Sequence, residues 1–207
     1  MSTNPAGLLS VYRGIVEVAL ATTNTGSGQD SGQDSADNAQ ATTTTTIRLT
    51  QSEEPDSTVW DASVVLAHHL SIAEQQQQQE QEQHRGATVV KGKRVLELGA
   101  GCALAGIAAA ALGASQVVVT DMDEYRELIK GNVRNSSLTE EAARRIVVQE
   151  LMWGDPKQQA ACKGPFDVIL ASDCIYAVQS LSALVTTLLA LSDYNTRILI
   201  AFEHRYE

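Results

Sequence analysis

Cysteine is scarce in this chain: Cys102, Cys162 and Cys174 are the only three in 207 residues, and no two stand in C-x-x-C spacing. That excludes a disulfide framework and suits a reducing compartment, the cytoplasm and also the nucleus. Basic residues are few, 15 against 25 acidic ones, for a net charge of −10. A surface of that sign repels a phosphate backbone, and the densest basic spots, Arg144 with Arg145 and Lys91 with Lys93 and Arg94, are too short to make a nucleic-acid stripe. There is no run of 18 apolar residues, and Met1 to Pro5 show no charged start followed by an apolar core. A spanning helix and an ordinary signal peptide are therefore not expected. The histidines, His68, His69, His84 and His204, show no metal-ligand arrangement, and no metal is expected. These absences predict a soluble protein with neither nucleic acid nor membrane as a partner.

What is present suits one core: 43% of the residues are hydrophobic. Residues 1–57 read as a hairpin region, with alternating apolar positions from Leu8 to Leu20 and a partner strand at Ile47-Arg48-Leu49. Between them, about 22–46, lies a Thr/Ser/Gln-rich stretch that can bury too little apolar surface to offset ordering entropy, so it is expected to be a disordered loop. Residues 58–207 form the main unit, interrupted by a glutamine-rich insertion at about 74–84 that either extends the preceding helix or hangs free. From Arg94 the pattern alternates: short branched strands near 94–99, 116–121, 145–151, 166–172 and 196–203, with helices near 103–112, 123–134 and 178–191 and a helical turn after Thr139. That is the signature of a parallel sheet covered by helices.

The segment Arg94 to Gly101 carries most of the chemistry. An apolar strand enters a glycine turn and then an alanine-rich helix, so the backbone can approach a ligand and helix amides can point at it. A dinucleotide fingerprint starting at Gly99 needs glycine at position 104, which is Leu104, and Gly106 comes two residues too late. A second branched strand, Val117 to Asp121, ends in a carboxylate placed to bind ribose hydroxyls about 20 residues downstream of the turn. Such a unit is shared by methyltransferases, dehydrogenases and non-enzymatic nucleotide binders.

Four blocks in order narrow the choice: Val59 to Ala67 around Trp60-Asp61-Ala62, Val95 to Gly106, Leu151 to Asp155 around Trp153, and Phe166 to Tyr176. Together they resemble the non-SET protein-lysine methyltransferases of the Methyltransferase-16 family, and within it the branch that methylates the AAA-type ATPase valosin-containing protein. The resemblance implies a Rossmann-like class I S-adenosylmethionine methyltransferase fold of the α/β class, with helices on both sheet faces. It implies S-adenosyl-L-methionine as cofactor and a protein substrate, an AAA-type ATPase or a chaperone. Trp60, Glu97, Gly99, Ala100, Gly101, Asp121, Trp153 and Ser172 would then form the cofactor site, with alanine the commoner family residue at the last position and Ala103 standing where a third glycine falls. The residues alone leave other roles open: Trp60 can be a helix-entry staple, Trp153 a core residue and Asp173 a helix cap.

Asp173 and Tyr176 are the expected catalytic residues, a D-x-x-Y element just past the fourth parallel strand, at the edge where open α/β sheets bind ligands. A lysine must lose its proton before attacking a sulfonium methyl, which at a pKa near 10.4 costs about 4 to 5 kcal/mol at neutral pH. A dry aromatic channel lowers that pKa, whereas a lone carboxylate raises it, so Asp173 is expected to orient the amine rather than act as a base. Tyr176 is expected to wall the channel and accept a hydrogen bond, and Glu203-His204-Arg205 to form a polar turn on the substrate side. The family's sheet continues beyond its fifth strand with a helix and an antiparallel strand pair. This chain stops at Glu207, so the expectation is a sheet truncated after strand five, with an exposed edge. A silent cofactor-binding or regulatory module, and a methyltransferase acting on a small molecule or RNA, remain as alternatives.

Overall fold

The computed structural model describes residues 9–12, 15–23, 42–51, 58–81 and 88–204. Its centre is a five-stranded sheet built from β4 (Arg94–Leu98), β5 (Gln116–Asp121), β6 (Ile146–Glu150), β7 (Val168–Ser172) and β8 (Arg197–Ala201). The spatial order is β6-β5-β4-β7-β8, with all neighbours parallel. The order reverses at β4, so the carboxyl ends of β4, β5 and β7 open onto one crevice, the usual ligand position in such sheets.

Period-two alternation divides the central strands between two cores. Val95, Val117, Val119, Val168 and Leu170 face one cluster; Leu96, Leu98, Val118, Ile169 and Ala171 face the other. The first is covered by α1 (Asp61–Gln81), α2 (Leu104–Ala111) and α3 (Arg126–Asn135), the second mainly by α6 (Val178–Leu191). Two short helices, α4 (Glu140–Arg144) and α5 (Pro156–Ala161), flank β6 in sequence. Thr139 caps the first by accepting from the Ala142 N–H at 3.2 Å. The second starts at Asp155, whose carboxylate accepts from Lys157 and Gln158, followed by proline at the first helical position. Among the described residues β8 has a strand neighbour on one side only, with Ile198, Ile200 and Phe202 partly exposed.

In the N-terminal region the stretch read from Leu8 to Leu20 pairs with Ile47–Leu49 through β2 (Ile15–Thr23) and β3 (Thr42–Thr50), and β1 (Leu9–Tyr12) adds a further strand to an antiparallel sheet in the order β1-β2-β3. The expected disordered loop of 22–46 thus begins and ends in strand, because β-branched threonine suits a pleated surface even without an alternating apolar signal; residues 24–41 lie outside the described residues. Val18, Leu20, Ile47 and Leu49 are fully buried and join the first core.

The glutamine tract continues α1 as far as Gln81, since glutamine is a good helix former. Its first residue, Glu74, is buried, and its Oε1 accepts from the backbone N–H groups of Val90 and Lys91 just before β4. The start of the tract is therefore structural.

Candidate active site

β4 leaves the sheet through Gly99, Ala100 and Gly101. Both glycines take left-handed backbone angles, φ 58° and 51°. Gly99 has a second requirement, for a Cβ there would lie 3.0 Å from Cys174 Sγ and 3.0 Å from Trp153 Cζ2. Ala103, in place of the third glycine, adopts φ 66° all the same, at a cost of about 1 kcal/mol for an L-residue. The turn is latched from β5: Asp121 Oδ2 accepts from Gly101 N–H at 2.7 Å, and its Oδ1 accepts from Met122 N–H at 2.7 Å.

Glu97 departs from the expected cofactor contact. It is fully buried behind the turn and does not line the cavity, because period-two alternation turns it from the crevice toward α2. The residue before α2, Ala103, has no side chain able to cap, and the Glu97 carboxyl supplies the acceptor instead. Its Oε2 receives Gly106 N–H at 2.9 Å. Burial pushes the Glu97 carboxyl up to about 8, against the amides of Gly106 and Ala105 and with the charge of Asp121 adding to the rise. Gly106, two residues late for a dinucleotide motif, is there for this contact: a Cβ would stand 2.5 Å from Glu97 Oε2 and 2.7 Å from Val119 Cγ2. The helical period placing Gly106 over β4 was the available sequence signal.

Every other expected site residue lines one cavity of about 470 Å³. Gly99, Ala100, Gly101 and Asp121 line it together with Trp60, Trp153, Ser172, Asp173 and Tyr176, with Gly99 packed directly beside Trp153. Trp153 and Tyr176 meet at 6.5 Å between ring centroids, tilted by 51°. Trp60 is 40% exposed at the rim, and its carbonyl accepts from Ser63 N–H and Oγ at the start of α1. Asp173 sits at φ 54° immediately after β7, its N–H donating to Ala201 O at 2.7 Å, so the main chain turns sharply into the crevice. His204 is exposed beyond β8, and Arg205 lies outside the described residues.

Met152 lines the cavity beside Trp153, and Met122, Tyr125, Ser180 and the two buried thiols Cys102 and Cys174, which had not been expected there, line it too. Cys174 Sγ–H donates to Leu98 O at 3.2 Å, and burial raises its thiol far above the ordinary range. Cys102 is pushed up to about 12 by burial and then by the charge of Glu97. Neither is a nucleophile near neutral pH. Among the described lining residues Asp121 and Asp173 are the carboxylates, and none is lysine, arginine or histidine. The cavity thus favours cationic over phosphorylated ligands.

The strand order, the glycine turn and the acid closing β5 are those of the Rossmann-like α/β fold that class I methyltransferases share. A putative S-adenosylmethionine-dependent methyltransferase from Streptococcus mutans has the same fold, with a TM-score of 0.50 at 17% identity over 76% of this chain and 38% of that one. The Methyltransf_16 model, described as lysine methyltransferase, matches residues 40–207, and the chain belongs to that family. The protein N-lysine methyltransferase METTL21A of Danio rerio is 37% identical over 149 residues, and that of Mus musculus 39%. The match covers 72% of this chain and 61% of either relative, so the chain spans about three fifths of their length.

Proposed function

We propose that this chain is a protein-lysine N-methyltransferase that uses S-adenosyl-L-methionine. The observation that carries the reading is the cavity itself: a glycine turn latched by Asp121, an aromatic pair and Asp173 in the same lining, and no basic side chain among the described lining residues. A sulfonium nucleoside with an ammonium group suits such a lining, whereas the pyrophosphate of a dinucleotide would meet carboxylates without a cation. Bound there, the cofactor supplies an electrophilic methyl group.

The residues of the chain do the rest. Gly99, Ala100 and Gly101 bring backbone close to the ligand, and the carboxylate of Asp121 suits ribose hydroxyls while holding Gly101. Trp60, 40% exposed, and Tyr176, 62% exposed, present ring surface that an incoming lysine side chain would cover, and that desolvation lowers the lysine pKa and favours its neutral form. Asp173 orients the amine, so acceleration comes chiefly from alignment of nitrogen, methyl and sulfur. METTL21A is by name a protein N-lysine methyltransferase. Likeness to it supports a protein substrate, and the resemblance of the Trp-Asp-Ala, Val-Val-Val-Thr-Asp and Asp-Cys-Ile-Tyr segments to the methyltransferases of valosin-containing protein supports an AAA-type ATPase or chaperone. Three free, buried cysteines support a reducing compartment, cytoplasm or nucleus.

Calorimetry with S-adenosylhomocysteine, followed by methyl transfer from labelled cofactor to lysate proteins and mass spectrometry of the acceptor residue, tests this. The expected result is binding together with label on lysine. Binding without transfer would make the chain a cofactor-binding module, label on RNA or a small molecule would change the substrate class, and no binding overturns the reading. Asp173→Ala is expected to remove transfer while cofactor affinity is kept; unchanged turnover removes Asp173 from the site.

A further inference from the structure

We infer that Asn132 is a positioning residue for the cofactor turn, and that through it the end of the N-terminal sheet is part of the binding site. Asn132 lies on α3, contributes nothing to the cavity wall, and is fully buried. Its carboxamide is nevertheless used at both ends. Oδ1 accepts from Thr50 N–H at 2.7 Å, and Nδ2 donates to Thr50 O at 3.1 Å and to Cys102 O at 3.1 Å. One side chain thus grips both backbone groups of the last residue of β3, as a neighbouring strand would, and ties them to the residue that follows Gly101. Cys102 Sγ–H donates to the same Thr50 carbonyl at 3.6 Å.

The junction also reaches the segment that carries Trp60 into the cavity lining. Gln51, next along from Thr50, accepts from Val59 N–H through Oε1 at 3.0 Å, and Val59 directly precedes Trp60. Two adjacent residues at the end of the N-terminal sheet therefore hold the segment leading to Trp60 and, through Asn132, the carbonyl at the exit of the glycine turn. A buried amide with its donors and acceptor matched in this way is costly to alter, since losing one partner strands another polar group away from water. The cofactor turn is held by Asp121 from the β5 side and by Asn132 from the β3 side.

The inference rests on the cavity being the S-adenosylmethionine site. Two measurements test it, the first without any substitution. Hydrogen exchange of the full chain with and without S-adenosylhomocysteine should show added protection at residues 99–104 and, because coupling is reciprocal, at the Thr50 amide as well. Protection confined to residues 99–104 would overturn the inference while leaving the proposed function intact; no binding at all would remove the function itself. The second compares wild type with Asn132→Asp, which keeps the shape but replaces the donor that serves Thr50 and Cys102. Its KM for S-adenosylmethionine should rise about tenfold, within the range expected for one lost buried donor, with kcat within about twofold. A merely structural residue would instead lower the folded fraction, and so the apparent kcat, at unchanged KM; that outcome also overturns the inference. Should the variant not fold, the wild-type exchange experiment still decides.

Discussion

Glu97 and Gly106 form the most tightly constrained pair beneath the turn. The folded chain holds the Glu97 carboxyl at about 8 against an ordinary value of 4.5. Below pH 4.5 the group is neutral whether the chain is folded or not, so its contribution to stability is whole there. Between 4.5 and about 8 the unfolded chain ionises while the folded one stays neutral, and stability falls; above 8 the loss levels off. The loss amounts to a few kcal/mol, at about 1.4 kcal/mol per pH unit. Glu97→Gln keeps an acceptor for Gly106 and cannot ionise, so urea midpoints should fall less between pH 5 and pH 8 than in wild type. Parallel profiles would show that Glu97 is not held neutral. Gly106→Ala should cost up to about 2 kcal/mol of stability, the Glu97 and Val119 clashes of about 1 to 3 kcal/mol less the gain in helix propensity of about 1 kcal/mol. A midpoint above wild type would mean that the strand and helix can separate freely.

At the level of elements, the segment carrying Trp153 is held from both ends. Met152 N–H donates to Gln158 Oε1 at 2.6 Å, and Gly154 N–H donates to Thr187 Oγ1 at 2.8 Å, on α6. Thr187 is fully buried, also receives Gln159 Nε2–H at 3.1 Å, and donates to Ala183 O. Thr187→Val keeps the volume and removes the acceptor. In a Trp60→Phe background, where Trp153 is the remaining one of two tryptophans, its emission should shift to the red and S-adenosylhomocysteine binding weaken by about tenfold, the range for one lost buried hydrogen bond. Thr187→Ser should restore both. Unchanged emission in the valine variant would release Trp153 from this dependence.

None of this network was legible in the sequence, because a single buried threonine or asparagine carries no periodic signal. The parallel strands were legible, since central strands buried on both faces are short branched runs between turn residues: β5 spans Gln116–Asp121 as read. α5 was not read, although Asp155-Pro156 announces its cap and first turn. Glu97 was misplaced because strand alternation decides which way a side chain faces and motif matching does not, and Met122, Tyr125 and Ser180 were missed because they lie outside the four blocks that carried the reading.

For the whole molecule, on the proposed reading as a protein-lysine methyltransferase, the balance of charge bears on substrate approach more than on cofactor binding. A net charge of −10 sets up a field that draws a cationic, lysine-bearing surface toward the protein, and Asp121 and Asp173 in the crevice carry the same sign. Such attraction acts across solvent over about 10 Å at 0.1 M salt and shrinks to about 3 Å at 1 M. Contacts inside the cavity are shorter and less exposed, so salt screens them less. Raising sodium chloride from 0.05 to 0.5 M should therefore increase KM for a protein substrate several-fold while the affinity for S-adenosylhomocysteine changes by less than about twofold. Steady-state kinetics at fixed saturating cofactor, paired with calorimetry at the same salt concentrations, separates the two. If both constants move together, salt is acting on the fold or the cavity; if neither moves, the substrate is recognised by contacts that owe nothing to the surplus of acidic side chains.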